Sequence, residues 1–298
     1  MWTQWSEWMD ALRKASPEEP GSVQGRNPDR PNRAAAQSVV TLLKALGQAL
    51  DSFTTKTRAR DCHWVADLTN LPRGAATLLA RTLGGGEVSV SLCNEAGTVE
   101  ETGVRGVWLL RVGGQRTLVA ALLPRVVESF IEHGDAVVKV SEPSVKVSPA
   151  ATAVLAEANE ALRALSTRDA QVCVQKELSD SSPFQRQIDL LRQPFGAGDM
   201  RYILSVIGTG EVSVALRGFS RSRIDSTRVR GLWRSRIANT EGRLLFDSLV
   251  VARIPREIPA GREDFEKSAT RVRELTASLE SDLFHGRFDG LRAPLSQR

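Results

Sequence analysis

Cysteine and histidine are scarce, three of each in 298 residues. Cys62, Cys93 and Cys173 are odd in number, far apart and without CxxC spacing, which argues against a disulfide framework and against a self-contained zinc or iron–sulfur site. His63, His133 and His285 form no HxxxH pair and no Ser/His/Asp or Cys/His arrangement. Cys62 and His63 are adjacent, and adjacent residues on a strand point to opposite faces. The expectation is therefore no catalytic residue, no cofactor and no metal site. Apolar runs are short as well: none approaches the roughly 18–20 residues that span a bilayer, so no membrane span is expected. The first ten residues lack a basic start followed by an apolar core and do not read as a signal peptide. A reducing cytoplasm is the expected compartment.

Charge of one sign is also in modest supply. The net charge is +5, well below that of a dedicated basic domain, so composition argues against nucleic acid as the main partner.

What the sequence does contain is one stretch written twice. Leu83-Gly-Gly-Gly-Glu-Val-Ser-Val90 returns as Ile207-Gly-Thr-Gly-Glu-Val-Ser-Val214. Downstream, Thr102-Gly-Val-Arg-Gly-Val-Trp108 with Arg111 returns as Thr227-Arg-Val-Arg-Gly-Leu-Trp233 with Arg236. The offsets are 124 and 125 residues, so the chain reads as an internal duplication. Glu87, Trp108, Glu211 and Trp233 mark the repeat. The glycines are no phosphate loop: they follow a helix, precede a strand, lack the Walker lysine and carry a carboxylate that would repel phosphate.

Residues 1–14 carry Trp2, Trp5 and Trp8 at helical spacing, followed by Leu12. This predicts a tryptophan-rich amphipathic helix, which packs back on its own domain, docks in a partner's groove or lies on a membrane surface, a reading that Glu7 and Asp10 on the polar face argue against. Residues 15–34 have almost no large apolar side chain and predict a flexible linker. The fold class expected is α+β: two tandem pseudo-repeated units, 35–145 and 146–284, each with helices and a mostly antiparallel sheet, plus the tethered N-terminal helix and a tail over 285–298. In the first unit, helices are predicted near 36–53 and 72–83, with strands near 64–68, 87–92, 99–102, 104–112 and 117–123. In the second they are predicted near 151–165, 198–207 and 262–282, with strands near 188–191, 211–216, 224–227, 229–237 and 244–254.

Two patterns are candidates for binding. If 229–237 is one continuous strand, Val229, Gly231, Trp233, Ser235 and Ile237 share one face, and Arg228, Arg230, Arg234 and Arg236 share the other with Leu232. That second face reads as a solvated surface interlaced with acids, as a reader of an acidic partner, or as an RNA-binding ridge. Glu87 and Glu211 either pair locally or face each other across a pseudo-twofold axis.

The Gly-Glu-Val-Ser-Val strand, the Gly-[Val/Leu]-Trp-x-x-Arg block, Gly218-Phe-x4-Ile224-x-x-Thr227, Leu244-Leu-Phe-Asp247 and Ile254-Pro-Arg-Glu257 resemble the HupH/HyaF-type hydrogenase expression/formation proteins, called HoxQ in some operons. The resemblance spans roughly residues 36–282. The chain departs from the family pattern at Val104, where an aromatic is common, and at Leu109, where a basic residue is common. The resemblance implies a non-enzymatic cytoplasmic accessory chaperone in NiFe-hydrogenase maturation. Its implied client is the precursor of the iron–sulfur small subunit before assembly and export, and its implied co-worker a thioredoxin-like accessory protein. Trp2, Trp5, Trp8 and the arginine face would be the contact residues. An RNA-binding or regulatory module using the arginines is the alternative.

Overall fold

The structure, a computed structural model, describes residues 32–56, 61–72, 74–139, 147–175, 184–218 and 221–288. The expected tryptophan helix with Trp2, Trp5 and Trp8, nearly all of the linker and most of the tail lie outside the described residues. Six helices and ten strands are described: α1 (Arg33–Thr54), β1 (His63–Asp67), α2 (Ala75–Leu83), β2 (Gly85–Leu92), β3 (Gly97–Thr102), β4 (Val107–Val112), β5 (Gln115–Ala121), α3 (Arg125–Ile131), α4 (Pro149–Gln175), β6 (Arg186–Asp189), α5 (Asp199–Ile207), β7 (Val212–Leu216), β8 (Arg221–Ser226), β9 (Leu232–Ala238), β10 (Leu244–Val251) and α6 (Asp264–Phe284). The class is α+β, with antiparallel strand pairing.

Packing divides the chain differently from the expected boundary at 145/146. Among the described residues, those up to Gly86, Val99–Pro124 and those from Ala260 onward make one compact unit; Glu87–Thr98 and those between Arg125 and Pro259 make the other. In the first unit the strand order is β1-β5-β4-β3. Helix α1 starts on Asn32, whose Oδ1 accepts from Ala35 N at 2.9 Å, satisfying one of the unpaired amides of the first turn. Its buried stripe, including Val39, Leu43, Leu46, Leu50 and Phe53, recurs at three- and four-residue steps. Helix α6 lies antiparallel along it and buries Phe265, Ala269, Val272, Leu279 and Leu283. Phe53 and Phe265 meet edge-on at 5.2 Å, and Lys44 pairs with Glu280 at 2.6 Å. The helix expected to close the second unit thus seals the first, because the two apolar stripes match and no local rule says which stripe a helix will meet.

In the second unit the order is β6-β10-β9-β8-β7, with β2 added beyond β7. Helix α4 covers one face through Val154, Leu155, Ala158, Leu162 and Leu165, packed with Ile203 and Val206 of α5, Leu232 of β9 and Leu249 and Val251 of β10. Helices α2 and α5 are alike. Each has nine residues, begins after a left-handed glycine (Gly74, φ 77; Gly198, φ 99) and ends on another (Gly84, φ 71; Gly208, φ 64). Each closing glycine supplies the positive φ that lets the chain turn straight into a strand.

Candidate functional site

The repeated Thr-x-Val-Arg-Gly-x-Trp segment builds the same turn in each unit. Thr102 Oγ1 accepts from Val104 N at 3.2 Å, and Thr227 Oγ1 from Val229 N at 3.1 Å. Gly106 and Gly231 follow at φ 72 and 78. Their carbonyls accept from Ala121 N and Ala252 N. The indoles beyond are buried, and Trp108 Nε1 donates to Ala121 O at 2.9 Å as Trp233 Nε1 donates to Ala252 O at 3.0 Å. Both tryptophans spend their only donor inside the protein, so the motif is structural.

The two turns differ in how their arginine is handled. In the first, Glu101 stands before the threonine with a fully buried side chain and receives Arg105 Nη1 at 2.7 Å. Asp264 lies 3.7 Å from Arg105 Nε, and Glu101 also accepts from Gly106 N at 3.1 Å. Burial raises the Glu101 carboxyl above its ordinary range, against the lowering effects of the Gly106 amide and Arg105. In the second turn Ser226 takes the place of Glu101, and its hydroxyl accepts from Val212 N at 2.9 Å. Arg230, the counterpart of Arg105, is exposed, and no side-chain partner holds it among the described residues.

Arg230 stands on the lip of a cleft of about 170 Å³ lined by Phe130, His133, Gly134, Gly210, Glu211 and residues 226–233. Arg228 is anchored there, with Nη2 donating to Val206 O at 3.2 Å and Nε 3.8 Å from Asp135. The Asp135 carboxyl sits below its usual range, first through the Lys139 hydrogen bond and in smaller part through Arg228. The lip is rigid: Asp135 N donates to Arg228 O at 2.9 Å and Arg230 N to Asp135 O at 2.8 Å. Gly134 is required beneath it, since a Cβ there would lie 2.5 Å from Arg228 O. A cleft this size is smaller than the roughly 300–1,000 Å³ of small-molecule sites. Its rim carries Arg228 and Arg230, and Glu211 is part of the same lining.

The expected four-arginine ridge does not form as one face. Gly231, at φ 78, breaks the extension and β9 begins at Leu232. Leu232 and Trp233 are both buried, so Val229–Trp233 does not follow the in/out alternation expected for it. Arg234, 19% exposed, is bidentate to Asp247 at 2.9 and 2.6 Å. Arg236 reaches Asp225 at 2.5 Å, which also accepts from Ser213 Oγ at 2.6 Å and Arg223 Nε at 2.8 Å. Burial opposes ionisation of Asp225, yet these bonds together outweigh it and hold the carboxyl below its ordinary range. Three of the four arginines therefore have a carboxylate partner in their own protein, close for Arg234 and Arg236 and longer, at 3.8 Å, for Arg228. The carboxylates were visible in the sequence; the cross-strand register that sets Arg234 opposite Leu249, two residues along β10 from Asp247, was not.

Glu87 and Glu211 do not face each other. They stand at opposite ends of the β2–β7 ladder, where Glu87 O accepts from Arg217 N and Glu211 O from Cys93 N. Six residue steps separate those ends, about 20 Å at the usual strand rise. Among the described residues no group of three or more His, Cys, Asp or Glu could hold a metal, and no helix is long and apolar enough to cross a membrane.

Comparison with known proteins agrees with the blocks noted above. Residues 149–279 match the C-terminal conserved region of the HupH hydrogenase expression protein. Over 251 residues the chain is 31% identical to the hydrogenase expression/formation protein HupQ of Azotobacter chroococcum mcd 1, covering 81% of this chain and 82% of that one. It is 28% identical to HoxQ of Azotobacter vinelandii, over 81% and 82% of the two chains. It is also 28% identical to HupH of Rhodobacter capsulatus, over 72% and 73%.

Proposed function

We propose that this chain, which belongs to the HupH/HoxQ family of hydrogenase expression/formation proteins, is a non-enzymatic chaperone in NiFe-hydrogenase maturation. Its client would be the precursor of the iron–sulfur small subunit, held in the cytoplasm before assembly and export, with a thioredoxin-like accessory protein as co-worker. What supports a role in this pathway is likeness over four-fifths of the chain to relatives named for hydrogenase expression and formation. What supports a holding role is the contrast between Arg105, bound by Glu101, and Arg230, exposed on a rigid lip after Ser226 replaced that carboxylate. We take the two turns to belong to sister modules, one of which kept its arginine for internal use while the other turned it outward. Arg228 and Arg230 would grip an acidic group of the client, and Trp2, Trp5 and Trp8 would add apolar anchors. The RNA-binding alternative would have to do without Arg234 and Arg236, which are already engaged by Asp247 and Asp225.

The test is co-purification from a hydrogenase-producing cell. Tagged protein should recover the small-subunit precursor. Arg228→Glu with Arg230→Glu should reduce recovery without changing the melting temperature, and Trp2→Ala with Trp5→Ala and Trp8→Ala should reduce it independently. Failure of the wild-type chain to recover the precursor rejects the client.

A further inference from the structure

Three of the large apolar side chains exposed among the described residues, Leu191, Leu244 and Leu245, gather at one end of the second unit. Leu244 and Leu245 open β10 just after its hairpin with β9, and Leu245 is the extra residue of a bulge between Leu244 and Phe246. Leu190 N donates to Asp247 O at 2.9 Å, which brings Leu191 alongside. The hairpin is held stiffly: Asn239 Oδ1 accepts from Glu241 N at 3.1 Å and Arg243 N at 2.7 Å. Asn239 N donates to Arg243 O at 2.9 Å, and Gly242 supplies the left-handed corner at φ 84. Apolar side chains fixed in this way are presented to a partner with little further loss of conformational freedom. The hairpin between β4 and β5 is a contrast, with Gly113, Gly114, Gln115 and Arg116 exposed at its tip.

Beside the leucines stand Glu241 and Arg243, opposite in charge, both exposed, and neither side chain partnered among the described residues. A contact between two identical surfaces must be complementary to itself, so each copy has to carry both members of every charge pair. This patch does: Glu241 of one copy can meet Arg243 of the other while the leucines pack between them. The neighbouring edge strand β6 has four residues with Arg186 and Asp189 at its ends, features that discourage strand addition. Contact through side chains of the tip is left as the mode of association. We propose that the β9–β10 hairpin tip is the surface through which two copies of this chain associate.

Sedimentation of the full chain over roughly a hundredfold range of concentration should show its mean mass rising from one chain toward two. Leu245→Asp replaces an exposed side chain, so it should leave the melting temperature unchanged and weaken association by at least about tenfold. Glu241→Arg and Arg243→Glu should each weaken it by about threefold to tenfold. The two together should restore it, because the charges are then exchanged but still complementary. A chain that stays single over the whole range overturns the proposal, as does a dimer insensitive to Leu245→Asp or a double exchange that restores nothing. Capture of a different protein by a single chain, lost in Leu245→Asp, would overturn it by assigning the patch to that protein.

Discussion

Val90 and Val214 sit directly opposite each other on the antiparallel strands β2 and β7. They are also the same residue of the repeated Gly-Glu-Val-Ser-Val segment. The register runs outward evenly, Val88 opposite Leu216 and Leu92 opposite Val212, so a local twofold passes through the valine pair and exchanges one copy of the strand for the other. On the apolar face the central valines meet each other and valine–leucine pairs flank them, an arrangement that stabilises cross-strand contact.

The two repeated turns should respond alike to loss of their indole donor. Trp108→Phe and Trp233→Phe each leave a buried carbonyl, of Ala121 or Ala252, without its donor. Each should cost about 1–3 kcal/mol, read as a shift of the urea midpoint at constant slope.

Gly106 and Gly231 hold left-handed backbone at φ 72 and 78, and an added Cβ would lie 2.9 Å from Phe265 Cε1 or 3.0 Å from Leu165 Cδ2. Alanine at either position combines backbone strain with crowding by a packed side chain. The expected loss is about 1–3 kcal/mol each, checked by thermal unfolding.

Arg234 and Arg230 should separate stability from binding. Asp247→Ala would take both carboxylate hydrogen bonds from the mostly buried Arg234, at about 3–5 kcal/mol. Arg230→Ala changes an exposed side chain and should move stability by no more than about 0.5 kcal/mol. Equal effects on stability from the two variants would contradict this division.

Two carboxylates should give opposite pH slopes. Glu101 titrates above its ordinary 4.5, chiefly through burial. Its contribution is therefore complete below that value and is lost as pH rises through the folded-state pKa. Asp225 titrates below its ordinary 3.8 because its hydrogen bonds outweigh burial; its contribution is complete above that value and is lost as pH falls through the folded-state pKa. Urea unfolding from about pH 3 to 7 should show wild type losing ground to Glu101→Gln with rising pH, and gaining on Asp225→Asn.

Much of the architecture could be read from the residues. The stripe from Val39 to Phe53, the glycine stops at Gly84 and Gly208, and the spacing of Thr227, Gly231 and Trp233 all act within a few residues of chain. Helix ends, turn conformation and strand alternation depend on such neighbours. Strand β9 departs from the expected 229–237 where that rule breaks: Gly231 interrupts the extension, and both faces of Leu232–Trp233 are covered. The candidate site was half legible. Arg228 and Arg230 were among the residues expected to bind, but nothing in their own neighbourhood distinguished them from Arg234 and Arg236.

What decided that difference is remote in sequence. Asp247 lies thirteen residues from Arg234, and Asp225 eleven from Arg236, and only the register of three strands brings each pair together. Helix α6 likewise chose α1, more than two hundred residues away, as the stripe to cover. Local chemistry settled which elements form and that two of them repeat. Which charges are neutralised, and which arginine is left facing outward, depended on long-range pairing, because an ion pair forms wherever folding sets the partners within a few ångströms, whatever their distance along the chain.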